Sequence, residues 1–146
     1  MERFQTALAM KEPDRVPVAP SVLTRAIKKA GAKQYDYHTN PEVLANAQIL
    51  HLMADTGADC LEIDSRVDMA RAKELVGNRV TLKCNVNTTS FIEKSIPELL
   101  DECRQVTLAG KPGGGFILSA GCETPADASE EAINAIREAA DLYGAY

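Results

Sequence analysis

The sequence predicts an α/β fold built on a parallel sheet. Three observations carry that expectation. Short runs of alternating apolar and polar residues occur at 58–64, 79–84 and 116–120; longer stretches with helical spacing lie between and after them; and Pro, Gly, Asn or Asp stands at nearly every junction. With 146 residues, 45% of them hydrophobic and 25% charged, the chain has the size and balance of one ordinary globular domain.

Residues 2–11 carry Phe4, Ala7 and Leu8 at helical spacing, and Pro13 ends that run. Arg15-Val16-Pro17-Val18-Ala19 is a short β-type run whose prolines suit it to a sheet edge. Residues 21–30 read as a helix stopped by Gly31, and 41–56 as a stronger one, with Asn40 as cap, Pro41 in the first turn and Gly57 after the end. Leu44, Ala47, His51 and Ala54 share one face of that second helix.

In the strand expected at 58–64, Leu61 and Ile63 alternate with Cys60, Glu62 and Asp64. At 79–84, Val80 and Leu82 alternate with Thr81 and Lys83. The last strand, 116–120, follows Gly113-Gly114-Gly115 and sets Phe116, Leu118 and Ala120 opposite Ile117 and Ser119. Helices are expected at 67–76, at 97–109 with Leu99, Leu100, Cys103 and Val106 inward, and at 129–143. The last is capped by Asp127 or Ser129, buries Ile133, Ile136, Ala140 and Tyr143, and stops at Gly144.

One apolar and one polar face on each strand describes a barrel wall, in which the polar face lines the interior. A complete (β/α)8 barrel takes about 250 residues, so about four parallel strands make a truncated, half TIM-type barrel. Its open edges call for cover, most simply by a second copy or a barrel-completing partner. A net charge of −5 argues against nucleic acid. No apolar run reaches the roughly 18 residues of a membrane helix, and the start lacks a signal-peptide layout, which makes the cytoplasm the expected compartment, without a membrane. The four cysteines lack CxxC spacing and imply no disulfide framework.

The segments Arg3-Phe4-Gln5-Thr6-Ala7-Leu8, Glu12-Pro13-Asp14-Arg15-Val16-Pro17-Val18 and Asn40-Pro41-Glu42 resemble the amino-terminal signature of the uroporphyrinogen decarboxylase superfamily. From Met53 onward, Leu61-Glu62-Ile63-Asp64, Asp68, Asn85-Val86-Asn87, Gly114-Gly115-Phe116-Ile117-Leu118-Ser119 and Gly121-Cys122-Glu123-Thr124-Pro125 resemble its carboxy-terminal part. The chain thus reads as a single shortened domain, 1–52 matching the family's beginning and 53–146 its end, with the central portion missing. The resemblance implies a strand order of 58–64, 79–84, 116–120, 15–19.

The family contains porphyrinogen decarboxylases and corrinoid-dependent methyltransferases that use zinc to activate a thiol. Where the decarboxylases carry His-Gly, this chain has Gly121-Cys122, and an arginine pair after the first strand is not evident in Ala19-Pro20-Ser21. The resemblance therefore implies the methylcobamide:thiol methyltransferase branch, with zinc on Cys122, a methylcorrinoid as methyl donor and a corrinoid protein as possible partner. The branch's His-x-Cys motif is absent: the matching stretch reads Asn46-Ala47-Gln48-Ile49-Leu50-His51. His51 is the second candidate ligand, although its apolar stripe equally suits a packed histidine.

Asp64, at the outgoing end of its strand, and Asn85, just after the next, are the candidate catalytic groups. Glu62, Lys83 and Asn87 are candidate substrate contacts, with a Glu62–Lys83 pair and ordinary turn chemistry at Asn87 as the structural alternatives. Two further readings stay open: a non-catalytic half-barrel module that homodimerises or completes a partner, and a porphyrinogen decarboxylase-like lyase.

Overall fold

The computed structural model describes residues 47–146. The helices expected at 2–11 and 21–30, the strand at 15–19 and the start of the helix at 41–56 lie outside the described residues. Within them the order is α1 (Ala47–Ala54), β1 (Cys60–Glu62), α2 (Met69–Val76), β2 (Thr81–Val86), α3 (Ser90–Glu93), α4 (Ile96–Gly110), β3 (Phe116–Ala120) and α5 (Glu130–Tyr143). The three strands form one parallel sheet in the order β1-β2-β3, which is the order expected for them.

Local chemistry sets the boundaries. Past α1 the chain reverses through Gly57 at φ +80°, a conformation that favours glycine. The carboxylate of Asp68 caps α2 by accepting the Arg71 N–H at 2.7 Å. The pairing of β2 starts two residues later than expected, because the N–H groups of Arg79 and Val80 are taken by the Val76 carbonyl at 2.9 and 3.1 Å. They belong to the turn that closes α2, and the sheet begins only at Thr81, whose N–H reaches the Asp59 carbonyl at 3.0 Å. The Ser95 N–H donates to the Glu98 carboxylate at 2.9 Å and starts α4 with Pro97 in its first turn. Ser129, not Asp127, caps α5, its hydroxyl accepting the Ala132 N–H at 3.1 Å.

Helices cover one face of the sheet in two adjoining cores. Ile49, Leu50 and Met53 of α1 and Ala72 and Val76 of α2 pack on Leu61, Ile63, Leu82 and Cys84. Leu99 and Cys103 of α4 and three alanines of α5 pack with Val86, Phe91 and Ala120. Apolar burial at roughly 25 cal/mol per Å2 supplies the main drive for this layering.

The inward face of α5 corrects the sequence reading. Ala132, Ala135 and Ala139 are buried, Ile133 and Ala140 are exposed, and Ile136 and Tyr143 are half-buried against the core. Side-chain size misled the assignment, since a stripe of alanines at i, i+3 and i+7 lets the helix approach closely where isoleucine would hold it away. On α4, Leu99 and Cys103 are buried as expected, and Leu100 and Val106 are half-buried at the edge of the same cluster. Gly110 lies under the Phe116 ring, where a Cβ would come within 2.3 Å of a ring carbon.

Candidate functional site

Parallel strands deliver their carboxy-terminal ends to one side, so the loops leaving β1, β2 and β3 form a common lip. Register fixes what faces what below it. Glu62 and Lys83 are direct neighbours across β1 and β2, and their side chains meet at 3.4 Å. Their side chains are 41% and 28% exposed, so the pair neutralises charge on the sheet more than it stabilises the fold.

Asp64 follows β1. One of its carboxylate oxygens accepts both the Arg66 N–H at 2.9 Å and the Arg66 Nε–H at 3.1 Å, closing a tight turn. Asn85 is 5% exposed, and its side-chain amide donates to the carbonyls of Asp64 at 3.2 Å and Val67 at 2.6 Å. It therefore ties the β1 exit loop to β2, and the Cys84–Asn85 peptide bond just before it is cis. At β3, the Gly121 N–H donates to the Val86 carbonyl at 2.7 Å, and a Cβ on Gly121 would stand 2.8 Å from the Ser65 nitrogen. The exits of β1 and β3 are thus in contact, with Asp64 one residue before that contact and Cys122 one residue after it.

Asn87 is exposed. Its N–H donates to Glu102 at 2.8 Å and its side-chain oxygen accepts the Thr89 N–H at 3.1 Å, an Asx turn leading to α3. Glu102 of α4, which the sequence reading did not single out, is the hub of this exit, binding Lys94 Nζ at 2.7 Å as well as the Asn87 N–H. Burial alone would raise its carboxyl pKa, but the hydrogen bonds from Lys94, Ser90 and Asn87 outweigh burial and lower it. No periodicity marks Glu102 in the sequence, because its importance comes from a loop 15 residues earlier.

That shift has a sign. A carboxyl whose folded pKa is depressed adds stability above its unfolded value, near 4.3, and that stability is lost as pH falls through the lower folded value. Glu102→Gln is expected to cost about 1–2 kcal/mol at pH 7. The gap between the two proteins in urea midpoint should close as pH falls below the ordinary carboxyl range. An unchanged gap across that range would remove Glu102 from the acid response.

The four cysteines divide cleanly. Cys84 is fully buried, faces the helices as its parity implies, accepts the Ile63 N–H at 2.7 Å, and has its thiol pKa pushed up by burial. Burial pushes Cys60 and Cys103 up to about 11 each. Cys122 is exposed on the lip. His51 is half-buried in the last turn of α1, which leads into the amino-terminal end of β1, whereas Cys122 follows the carboxy-terminal end of β3. Among the described residues no group of three or more His, Cys, Asp or Glu gathers as metal ligands. These residues therefore do not fit a zinc ion by themselves; a three-ligand site needs at least one donor from outside 47–146. Among the same residues no helix is long and apolar enough to cross a membrane.

Comparison with known proteins adds four findings. The family model for uroporphyrinogen decarboxylase matches residues 45–143. Uroporphyrinogen decarboxylase 1, chloroplastic, of Oryza sativa subsp. japonica is 34% identical over 88 residues, covering 60% of this chain and 21% of the relative. The uroporphyrinogen decarboxylase of Saccharophagus degradans is 32% identical over 100 residues, covering 68% and 28%. Among solved structures, a methyltransferase from Methanosarcina mazei superposes with a TM-score of 0.62 at 18% identity, covering 82% of this chain and 40% of that one. The chain thus spans between a fifth and three tenths of the length of these curated relatives, and the structural likeness is one of fold.

Proposed function

The chain belongs to the uroporphyrinogen decarboxylase family, and from that premise we propose that it forms part of the substrate-binding lip of a barrel whose chemistry is of the thiol methyltransferase type. The observation that carries this reading is Cys122, an exposed thiol immediately after β3 on the lip shared with Asp64. Strand exits at the carboxy-terminal face are where barrel enzymes hold their reacting groups.

In this reading the chain's own residues build and hold the lip. Asn85 ties the β1 exit to β2, Gly121 brings the β3 exit against Ser65, Arg66 orients the Asp64 carboxylate, and Cys122 presents sulfur to the substrate side. Glu62 and Lys83 supply a paired polar floor beneath it, open to a substrate contact. Zinc, with Cys122 as one ligand, a methylcorrinoid donor and the corrinoid protein that would carry it are proposals for the complete assembly, with the other ligands drawn from outside the described residues.

A second reading is favoured by the absence of a three-ligand group among the described residues. In it the chain is a non-catalytic half-barrel that pairs with a copy of itself or completes another chain. The curated relatives' names bring porphyrinogen decarboxylation into the same assay.

The test is elemental analysis of the whole chain and of Cys122→Ser, with methyl transfer from methylcobalamin to a thiol and porphyrinogen decarboxylation measured side by side. The methyltransferase reading expects stoichiometric zinc, its loss in Cys122→Ser, and a fall in methyl transfer of about 100-fold or more. Zinc-free protein without methyl transfer would move the conclusion to the module, and decarboxylation unaffected by Cys122→Ser to the lyase.

A further inference from the structure

We propose that the lip selects an uncharged thiol, one whose tail carries a hydroxyl and no acidic group. The proposal rests on the thiol methyltransferase reading and names the acceptor that this reading leaves open.

The charged side chains around the strand exits are matched one to one. Lys83 meets Glu62 at 3.4 Å on the face of the sheet turned away from the helices, the Arg66 guanidinium holds Asp64 at 3.1 Å, and Lys94 holds Glu102 at 2.7 Å. Each pair is partly solvated and weak by itself, so the balance of charge decides, not the strength of a pair. An anionic tail would enter a set without net positive charge and lose its own hydration. It would gain a cation only by drawing one away from a carboxylate. Glu123, exposed and next in sequence to Cys122, adds a negative charge at the place where the thiol would arrive.

The polar groups that stay open are neutral. Asn85 commits its side-chain amide to the carbonyls of Asp64 and Val67. Ser119 is its register partner on β3. Leu118 and Ala120, on either side of Ser119, join the core beneath the helices, so alternation puts the Ser119 hydroxyl on the opposite face, the one that carries Glu62 and Lys83. Ser119 is half-buried, and among the described residues no group bonds to its hydroxyl. Asn87 lies one level further out, beside Gly121. Its N–H donates to Glu102 at 2.8 Å and its Oδ1 accepts the Thr89 N–H at 3.1 Å, which fixes the side chain. The Nδ2 amide is left without a partner among the described residues. Cys122 follows Gly121, and three residues of chain keep it within about 10 Å of Ser119. Sulfur at the rim, a neutral amide beside it and a hydroxyl below suit a short thiol with a hydroxylated tail.

Methyl transfer by the whole chain from methylcobalamin to mercaptopropanol and to mercaptopropionate tests the selection, because near neutral pH the two thiols differ in tail charge at almost equal length. In either transfer the sulfur gains the methyl group and its proton goes to solvent, while the electron pair of the broken cobalt–carbon bond stays on cobalt. The alcohol is expected to show a kcat/KM higher by about 10-fold or more. Ser119→Ala should raise KM for the alcohol about 5- to 10-fold with kcat nearly unchanged. Glu62→Gln, which leaves Lys83 without its carboxylate, should move the acid-to-alcohol ratio about 10-fold towards the acid, a change that general damage to the fold would not produce. Equal or better use of the acid by the parent chain, or variants that leave KM and the ratio where they were, would overturn the proposal. If neither thiol is methylated, the methyltransferase reading falls. The selection is then decided by titrating the isotope-labelled chain with the same two thiols and following the amide shifts of Ser119 and Asn87. Saturation by the alcohol at a concentration about 10-fold below the acid upholds it, and equal or absent shifts overturn it.

Discussion

Leu82→Ala is expected to destabilise the fold by about 3–5 kcal/mol, more than any other single truncation in the sheet. Leu82 is fully buried at the centre of β2, in register with Leu61 of β1 on one side and Phe116 of β3 on the other. Trimming its isobutyl group to a methyl leaves a cavity that the sheet cannot collapse to fill, because backbone hydrogen bonds hold both neighbouring strands at fixed spacing. Domains of this size retain about 5–15 kcal/mol in total, so the variant should unfold roughly 10–25 °C lower in a thermal scan. Leu142→Ala is the internal control: Leu142 is 58% exposed on α5, and its loss should stay within about 0.5 kcal/mol. Equal effects at the two positions would mean that β2 is not the central strand.

The second large effect falls on Asn85. Asn85→Leu keeps the volume but removes both donors, leaving the buried Val67 carbonyl without its partner and the Asp64 carbonyl with the Val67 N–H alone, and should cost about 2–4 kcal/mol. Asn85→Asp separates hydrogen bonding from shape. An ionised carboxylate offers acceptors to two carbonyl oxygens and is repelled, so its folded pKa is raised. The stability it contributes is present below the ordinary carboxyl range and lost as pH rises through the raised value. Urea unfolding should therefore show Asn85→Asp closest to the parent near pH 4 and furthest from it at pH 8, whereas Asn85→Leu shows a constant deficit. A pH-independent deficit in Asn85→Asp would mean that the amide is not the group holding the loop.

Asn85 also shows what a sequence can reveal about a site. Its position after an apolar run marked it as a residue just past a strand, but β2 runs on to Val86 and Asn85 lies within it, paired with Ser119. Its role is set by carbonyls 18 to 21 residues away, which no local pattern encodes. Glu62 and Lys83 were easier, because alternation along two strands puts them on one face and parallel register then brings them opposite each other. The last strand, 116–120, was legible to the residue, since the glycine turn before it and Gly121 after it punctuate both ends.

What failed to show did so for physical reasons. The strand start at Thr81 depended on a helix claiming the two preceding N–H groups, a competition between elements and not a property of either. The short α3 was missed because four residues are too few to display a period. On α5, hydropathy favoured isoleucine where the geometry of close helix contact favoured alanine. Cys122 was placed on the lip by its neighbours Gly121 and β3, and the structure leaves it exposed there, while the histidine meant to join it belongs to a helix at the other side of the fold's entry strand.

Thiol labelling tests the central arrangement most directly, because the parallel sheet with helices over one face assigns each cysteine a different fate. Cys60 and Cys84 sit in the sheet and Cys103 in α4, all buried, while Cys122 stands on the lip. In the native chain, first freed of any bound metal with a chelator, a maleimide read out by mass spectrometry should modify Cys122 within minutes and the other three only when denaturant opens the core, with one label per chain before unfolding and four after. Labelling of Cys84 or Cys103 at the rate of Cys122 in the native state, or a Cys122 that stays unmodified until the protein unfolds, would contradict the layered sheet and its exposed lip.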